Sequence, residues 1–179
     1  MYLDIYCLYM RLSESVEHAM HVVTVLAFIP DDEPGLTTAA LAEFHGVGAP
    51  YLSKAMQSLV RAGICRSTPG RHGGFHLARK PAELTMLDVA LAVEGNAPAF
   101  RCTEIRQRGP GAVDDPKAYP NPCGIASIFA EAESAWRSTL AKTTIEDLCT
   151  TLLTTEDERA LAAGAEWITA VQIRRKGDG

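Results

Sequence analysis

The sequence predicts a mainly α-helical protein with a small β-hairpin wing: a winged helix-turn-helix followed by a long dimerisation helix. Three observations carry that expectation. Apolar residues recur at helical spacing in successive segments between Ser13 and Ala62, two of them joined by the glycine turn Gly46-Val47-Gly48. A glycine-rich hairpin follows at once. From Phe44 to Ala82 there is no Asp or Glu, while Lys54, Arg61, Arg66, Arg71, Arg79 and Lys80 all fall there.

The first helix runs from Ser13 to Phe28, with Val16, Ala19, Met20, Val23, Leu26 and Ala27 on its apolar side and Ser13 as N-cap. Pro30–Gly35 is a loop. Thr37 or Thr38 caps a short helix carrying Leu41, Ala42 and Phe44. Pro50 lies in the first turn of the next helix, whose apolar set is Leu52, Ala55, Met56, Leu59 and Val60 and which closes at Gly63. Ile64–Ser67 and Phe75–Ala78 are the expected strands, flanking a turn whose glycines tolerate positive φ. Thr85 caps a helix to Gly95. The segment 96–122 holds five of the ten prolines and reads as a long loop, bracketed by Cys102 and Cys123. A helix over 124–142 carries a regular stripe of Ile125, Ile128, Phe129, Ala132, Ala135, Trp136, Thr139 and Leu140. Such a stripe suits a partner helix in a homodimer or packing within its own subunit. Thr155 and Glu158 form a capping-box pattern for a last helix to about Ile173, with Arg174–Gly179 expected to fray. The expected divisions are an extension at 1–9, a DNA-binding domain at 10–84, dimerisation helices at 85–150 with a sensor loop at 96–123, and a C-terminal helix and tail at 151–179.

Composition narrows the function. A chain of 179 residues, 47% hydrophobic and 22% charged, buries a real core and is not a disordered chain. No apolar run reaches the ~18–20 residues of a membrane span. Met1–Met10 is apolar but lacks a basic flank and carries Asp4, so it reads as neither signal peptide nor anchor, and a cytoplasmic protein is expected. Five cysteines without an export signal argue against a disulfide framework. The net charge of −5 alone argues against a nucleic-acid partner. Its distribution argues the opposite: the acid-free stretch carries six cations, leaving −11 on the remainder.

The candidate DNA face is the helix after the glycine turn. Lys54, Gln57, Ser58 and Arg61 form a polar stripe opposite the apolar set, with Tyr51 and Ser53 at the amino-terminal end. This suits a major groove, although an ordinary solvated helix face has the same spacing. On the first helix Glu14, Glu17, His18 and His21 share one side, making two interleaved Glu-x-x-x-His pairs. Such pairs serve as modest i,i+4 contacts or as two ligands to one metal, and spacing does not choose. Cys102 and Cys123 are the obvious source of further ligands; their polar, Pro/Gly-rich context predicts exposed, reactive thiols. Mixed Cys, His and carboxylate ligation suits zinc or an iron–sulfur cluster. Cys65 and Cys149 read as core residues. No acid/base constellation points to an enzyme.

Met10-Arg-Leu-Ser13, Leu41-Ala42-Glu43, Tyr51-Leu52-Ser53-Lys54, Leu59-Val-Arg-Ala-Gly63 and Gly73-Gly74-Phe75 together resemble the Rrf2 family of winged-helix regulators, over roughly Met10 to Leu148. The resemblance implies a homodimer that binds a palindromic DNA operator and carries an iron–sulfur cluster between the loop of one subunit and the first helix of the other. Many members have three closely spaced loop cysteines; this chain has two, about twenty residues apart. With Val16-Glu17-x-Ala19-x-His21, that departure resembles the branch of redox sensors holding a 2Fe–2S cluster by one Glu, one His and two Cys. Carried over by position, Glu17 and His21 would join Cys102 and Cys123 of the other subunit. The family's wing usually has Arg just before its first Gly; here Pro69 stands there, so Arg71, with His72, is the expected substitute. The implied function is redox-responsive transcriptional regulation. The alternatives are a cluster-free thiol switch or other-metal regulator and, from another class, a small metalloenzyme or electron carrier.

Overall fold

The structure is a computed structural model, described over residues 12–70 and 73–177. In chain order its elements are α1 (Glu14–Ala27), α2 (Thr38–His45), α3 (Ala49–Arg61), β1 (Cys65–Thr68), β2 (Gly74–Leu77), α4 (Met86–Glu94), α5 (Gly124–Ala141), α6 (Ile145–Thr155) and α7 (Glu158–Gly177). They divide into two compact units, residues 12–95 with 140–177, and residues 96–139. The architecture is the expected one: helical, with a two-stranded antiparallel sheet.

The larger unit is built around α1, whose Ala19, Val22, Val23 and Leu26 are buried at every turn. Leu41 of α2, Leu52, Met56 and Leu59 of α3, Ile64, and Leu84 and Val89 pack into the same core. Ile145, Cys149 and Val171 from the returning chain join it. Caps fix the helix starts. The Thr37 hydroxyl accepts from the Ala40 N–H at 3.1 Å, and Gly46, at φ 64°, ends α2 in the left-handed conformation. Thr85 and Asp88 make a reciprocal capping box at α4. Ser13 holds the N-cap position of α1 but makes no side-chain cap; its N–H instead donates to Glu94 Oε1 at 2.8 Å.

The wing pairs Cys65 with Leu77 and Thr68 with Gly74, so each strand is shifted by one residue from the sequence expectation. Leu36 adds a third rung: its N–H and carbonyl exchange bonds with Phe75 at 3.3 and 2.8 Å. The segment before α2 therefore runs against the hairpin. Gly35 and Gly74 meet there, and a Cβ on Gly74 would lie 2.6 Å from the Gly35 carbonyl carbon.

Two expectations at the C-terminal end are overturned. Thr155 does not open the last helix; it is the final residue of α6, and its hydroxyl donates to the Thr151 carbonyl at 2.9 Å. α6 was not foreseen because its threonines are weak helix formers. Thr150, Thr151, Thr154 and Thr155 all turn their hydroxyls back onto carbonyls of the preceding turn. Asp157 opens α7 instead, accepting from the Arg159 N–H at 2.9 Å. Nor do residues 174–177 fray: Arg175 donates to the Gly35 and Gly73 carbonyls, and Lys176 pairs with Glu33 at 2.7 Å.

In the smaller unit the proline-rich loop is ordered by its own polar groups. It contains 3-10 turns at Ile105–Gln107 and Pro116–Ala118. Phe100 stacks on Phe129 of α5 at 4.3 Å between centroids, and the Ala99 N–H donates to Glu133 Oε2 at 3.1 Å. Among the described residues no helix is long and apolar enough to cross a membrane.

Candidate nucleic-acid interface and metal ligands

The apolar period of α3 decides which side chains reach solvent. Leu52, Ala55, Met56 and Leu59 are at most 2% exposed. Tyr51, Lys54, Gln57 and Arg61 consequently stand outside, Tyr51 with 65% of its surface exposed. Ser53 is half-buried and its hydroxyl donates to the Ala49 carbonyl at 2.9 Å. Ser53, Gln57 and Arg61 line an open groove with Met56, Val60, Thr38 and Phe75, which places the wing strand beside the helix. Arg71 and His72 lie outside the described residues.

The acid-free stretch does not stay acid-free in space. Arg66 of β1 pairs with Asp31 at 2.5 Å, and Glu33 lies in the same loop. The one-dimensional count therefore overstated the positive charge at the base of the wing. It missed the loop between α1 and α2, which the Leu36–Phe75 bridge brings to the hairpin.

On α1, Glu14, Glu17 and His21 are exposed and His18 is half-buried. Sequence reasoning missed His45, the last residue of α2, whose ring centroid lies 5.6 Å from that of His21. Burial first, then the nearby His21 and His18, pushes the His45 pKa down to about 4. Its Nε2 is buried and makes no hydrogen bond. Only its place on α2 beneath α1 reveals it.

In the smaller unit Cys102 is exposed, as expected, but Cys123 is only 6% exposed. Cys123 stands immediately before α5 rather than on an open loop, and that position changes its chemistry. The backbone N–H groups of Ala126 and Ile125 hold its thiol below the ordinary range, aided by a hydrogen bond from Cys102 and by the charge of Arg106. Cys102 in turn accepts the Glu104 N–H at 3.4 Å, with Glu104 in the left-handed region at φ 49°. Arg106 donates to Glu104 Oε2 at 3.0 Å and to the Asn121 carbonyl at 3.1 Å, and lies over the Tyr119 ring at 5.5 Å. The structure thus brings Cys102 and Cys123 together. Cys65 and Cys149 are buried as expected, and burial pushes Cys65 up to about 12 and raises Cys149.

Two thiols, one of them among backbone N–H donors, and an exposed Glu–His pair on a helix are a donor set suited to an iron–sulfur cluster or zinc. Among the described residues no group of three or more His, Cys, Asp or Glu converges within one chain.

The Rrf2 family, described as iron-dependent transcriptional regulators, matches residues 12–151. The chain is 34% identical over 136 residues to YffB of Lactococcus lactis, named for an HTH-type transcriptional regulator, covering 76% of this chain and 85% of that one. It is 24% identical to the transcriptional regulator NsrR of Shouchella clausii, covering 85% and 95%. Among solved structures, the cysteine regulator CymR of B. subtilis superposes with a TM-score of 0.61 at 21% identity, covering 80% of this chain and 98% of that one. IscR of T. potens gives 0.61 at 18%, covering 85% and 96%. These relatives are regulators of transcription and not enzymes. The chain belongs to the Rrf2 family of winged-helix transcriptional regulators.

Proposed function

We propose that the protein is a homodimer that binds a palindromic double-stranded DNA operator and alters its affinity with the redox state of a 2Fe–2S cluster. The observation that carries this reading is the pair Cys102 and Cys123, set against each other with Cys123 disposed toward the thiolate by the first turn of α5. Glu17 and His21 stand exposed on α1, free to complete the ligand set across the dimer from the partner's cysteines. When bound, the cluster supplies a one-electron change of charge. The chain does the rest. α1 carries Glu17 and His21 on one face and the core contacts to α3 on the other, so a shift at that face reaches the recognition helix. In a dimer the two α3 helices must match a fixed half-site spacing, which makes affinity sensitive to small changes in placement.

Tyr51, Ser53, Lys54, Gln57 and Arg61 present the base- and phosphate-reading face, with Arg71 and His72 assigned to the wing. The apolar stripe of α5 supports the dimer, since Ile125 and Ile128 are 61% and 70% exposed. The test is anaerobic purification with iron analysis and visible spectroscopy of the wild type and of Cys102→Ala and Glu17→Ala. Iron and a visible chromophore in the wild type, lost in the variants, support the reading; a colourless, iron-free wild type contradicts it.

A second reading is a cluster-free thiol switch. The nearness of Cys102 to Cys123 favours it, because oxidation would join these two sulfurs with loss of two protons and two electrons to an oxidant. Mass mapping after peroxide treatment separates the two readings.

A further inference from the structure

The family model matches residues 12–151, and α7 lies beyond that match. Its placement is specific. Trp167 and Ile168 pack on the core, Trp167 against Phe44 of α2 at 5.2 Å between centroids, and Val171 is buried. The last two turns then present three polar side chains on one face. Gln172 Nε2 donates to the Pro34 carbonyl at 3.3 Å, Lys176 Nζ pairs with Glu33 at 2.7 Å, and Arg175 donates to the carbonyls of Gly35 and Gly73. These positions are related by three and four residues, which a helix sets side by side.

Arg175 is the member that spans two segments. Gly35 belongs to the loop before α2 and Gly73 to the return of the hairpin. A planar guanidinium offers donors in a fixed fork, so one side chain can tie both carbonyls at once. The backbones themselves meet too closely for side chains: a Cβ on Gly35 would lie 2.9 Å from the Gly74 carbonyl carbon. The His76 ring beside Gly35, its bond to the Glu33 carbonyl at 3.0 Å and the Leu36–Phe75 pair hold β2 to this loop, and Arg175 adds the tie that reaches the hairpin's return at Gly73.

We propose that α7 is a clasp on the wing, and that Arg175 is the positioning residue through which it fixes the hairpin for DNA binding. An ordered wing meets phosphate or groove without further loss of conformational freedom, whereas a loosened wing must be ordered at binding. The inference rests on the reading that this hairpin meets DNA.

The experiment compares the full-length wild type with Arg175→Ala, Arg175→Lys and Lys176→Ala. Two quantities are read: amide hydrogen exchange of residues 66–68 and 74–77, and affinity for a duplex enriched by the wild type from a randomised pool. Circular dichroism and gel filtration select the variants that keep the fold and oligomeric state. Arg175→Ala is expected to exchange faster in the hairpin and to bind the duplex roughly tenfold more weakly, about the entropy of fixing one further residue at binding. Arg175→Lys keeps the charge but not the fork and is expected to recover little of either. Lys176→Ala, losing only an exposed ion pair, is expected to stay within about twofold. Unchanged hairpin exchange in Arg175→Ala overturns the clasp, and so does faster exchange with unchanged affinity. If the wild type enriches no duplex, the DNA reading fails, while the exchange comparison still decides whether the clasp exists.

Discussion

Gly74 sits at φ 133°, a region closed to L side chains, with the Gly35 backbone directly in the way of any Cβ. Gly74→Ala is therefore expected to cost about 1–3 kcal/mol in denaturant unfolding, with the loss concentrated in the wing. The cysteines make a second residue-scale test. In the cluster-free protein at neutral pH, alkylation is expected to reach exposed Cys102 and to spare Cys65, which is 2% exposed and pushed up to about 12. Peptide mapping showing Cys65 labelled before unfolding would contradict the packing of the wing against the core. His45 provides the pH test. Its pKa falls from 6.5 to about 4 on folding, so below 6.5 the unfolded chain takes up a proton that the folded chain refuses. That part of the stability is complete above pH 6.5 and is lost as pH falls toward 4; in cluster-free protein His45→Gln is expected to flatten the stability profile over that window. The roles of Cys65 and Cys149 were legible as cysteines beside apolar neighbours. His45 and Arg106 were not, because each acts across a contact that only the folded chain makes.

At the scale of elements, periodicity located α1 to α5 within a residue or two, since each carries one regular apolar side and starts or ends at a Ser, Thr, Pro or Gly. It failed on α6, where a run of threonines disguised a helix begun by the Thr144–Asp147 capping box. It also misplaced the start of α7, because an Asp cap two residues past Thr155 fits the same local pattern. α5 yields the sharpest element-scale prediction. Ile128 is 70% exposed on an apolar stripe, so Ile128→Glu leaves the chain folded but puts a charge into the proposed dimer face. Analytical ultracentrifugation is expected to show a monomer for the variant and a dimer for the wild type. A wild-type monomer, or a dimeric variant, removes α5 as the dimerisation element.

For the whole molecule, net charge was a poor guide and its distribution a better one, though folding corrected that too. The acid-free stretch holds six cations in sequence, yet Arg66 is met by Asp31 from a neighbouring loop. On the proposed reading α3 then carries phosphate-contacting charge, and Lys54→Ala is expected to lower the salt slope of DNA binding by about one. The proposed sensing residues are divided in the sequence, Glu17 and His21 on one side and Cys102 and Cys123 on the other, and among the described residues no three such groups converge. In the proposed dimer the two halves meet across subunits, and operator affinity depends on what they hold. The most direct test is anaerobic titration of the iron-loaded dimer with its selected duplex, reduced and then oxidised in the same cell under visible spectroscopy. This coupling is expected to change affinity at least several-fold in step with the chromophore, and Cys123→Ala to abolish both. Equal affinity in the two states, with the chromophore fully switched, would contradict it.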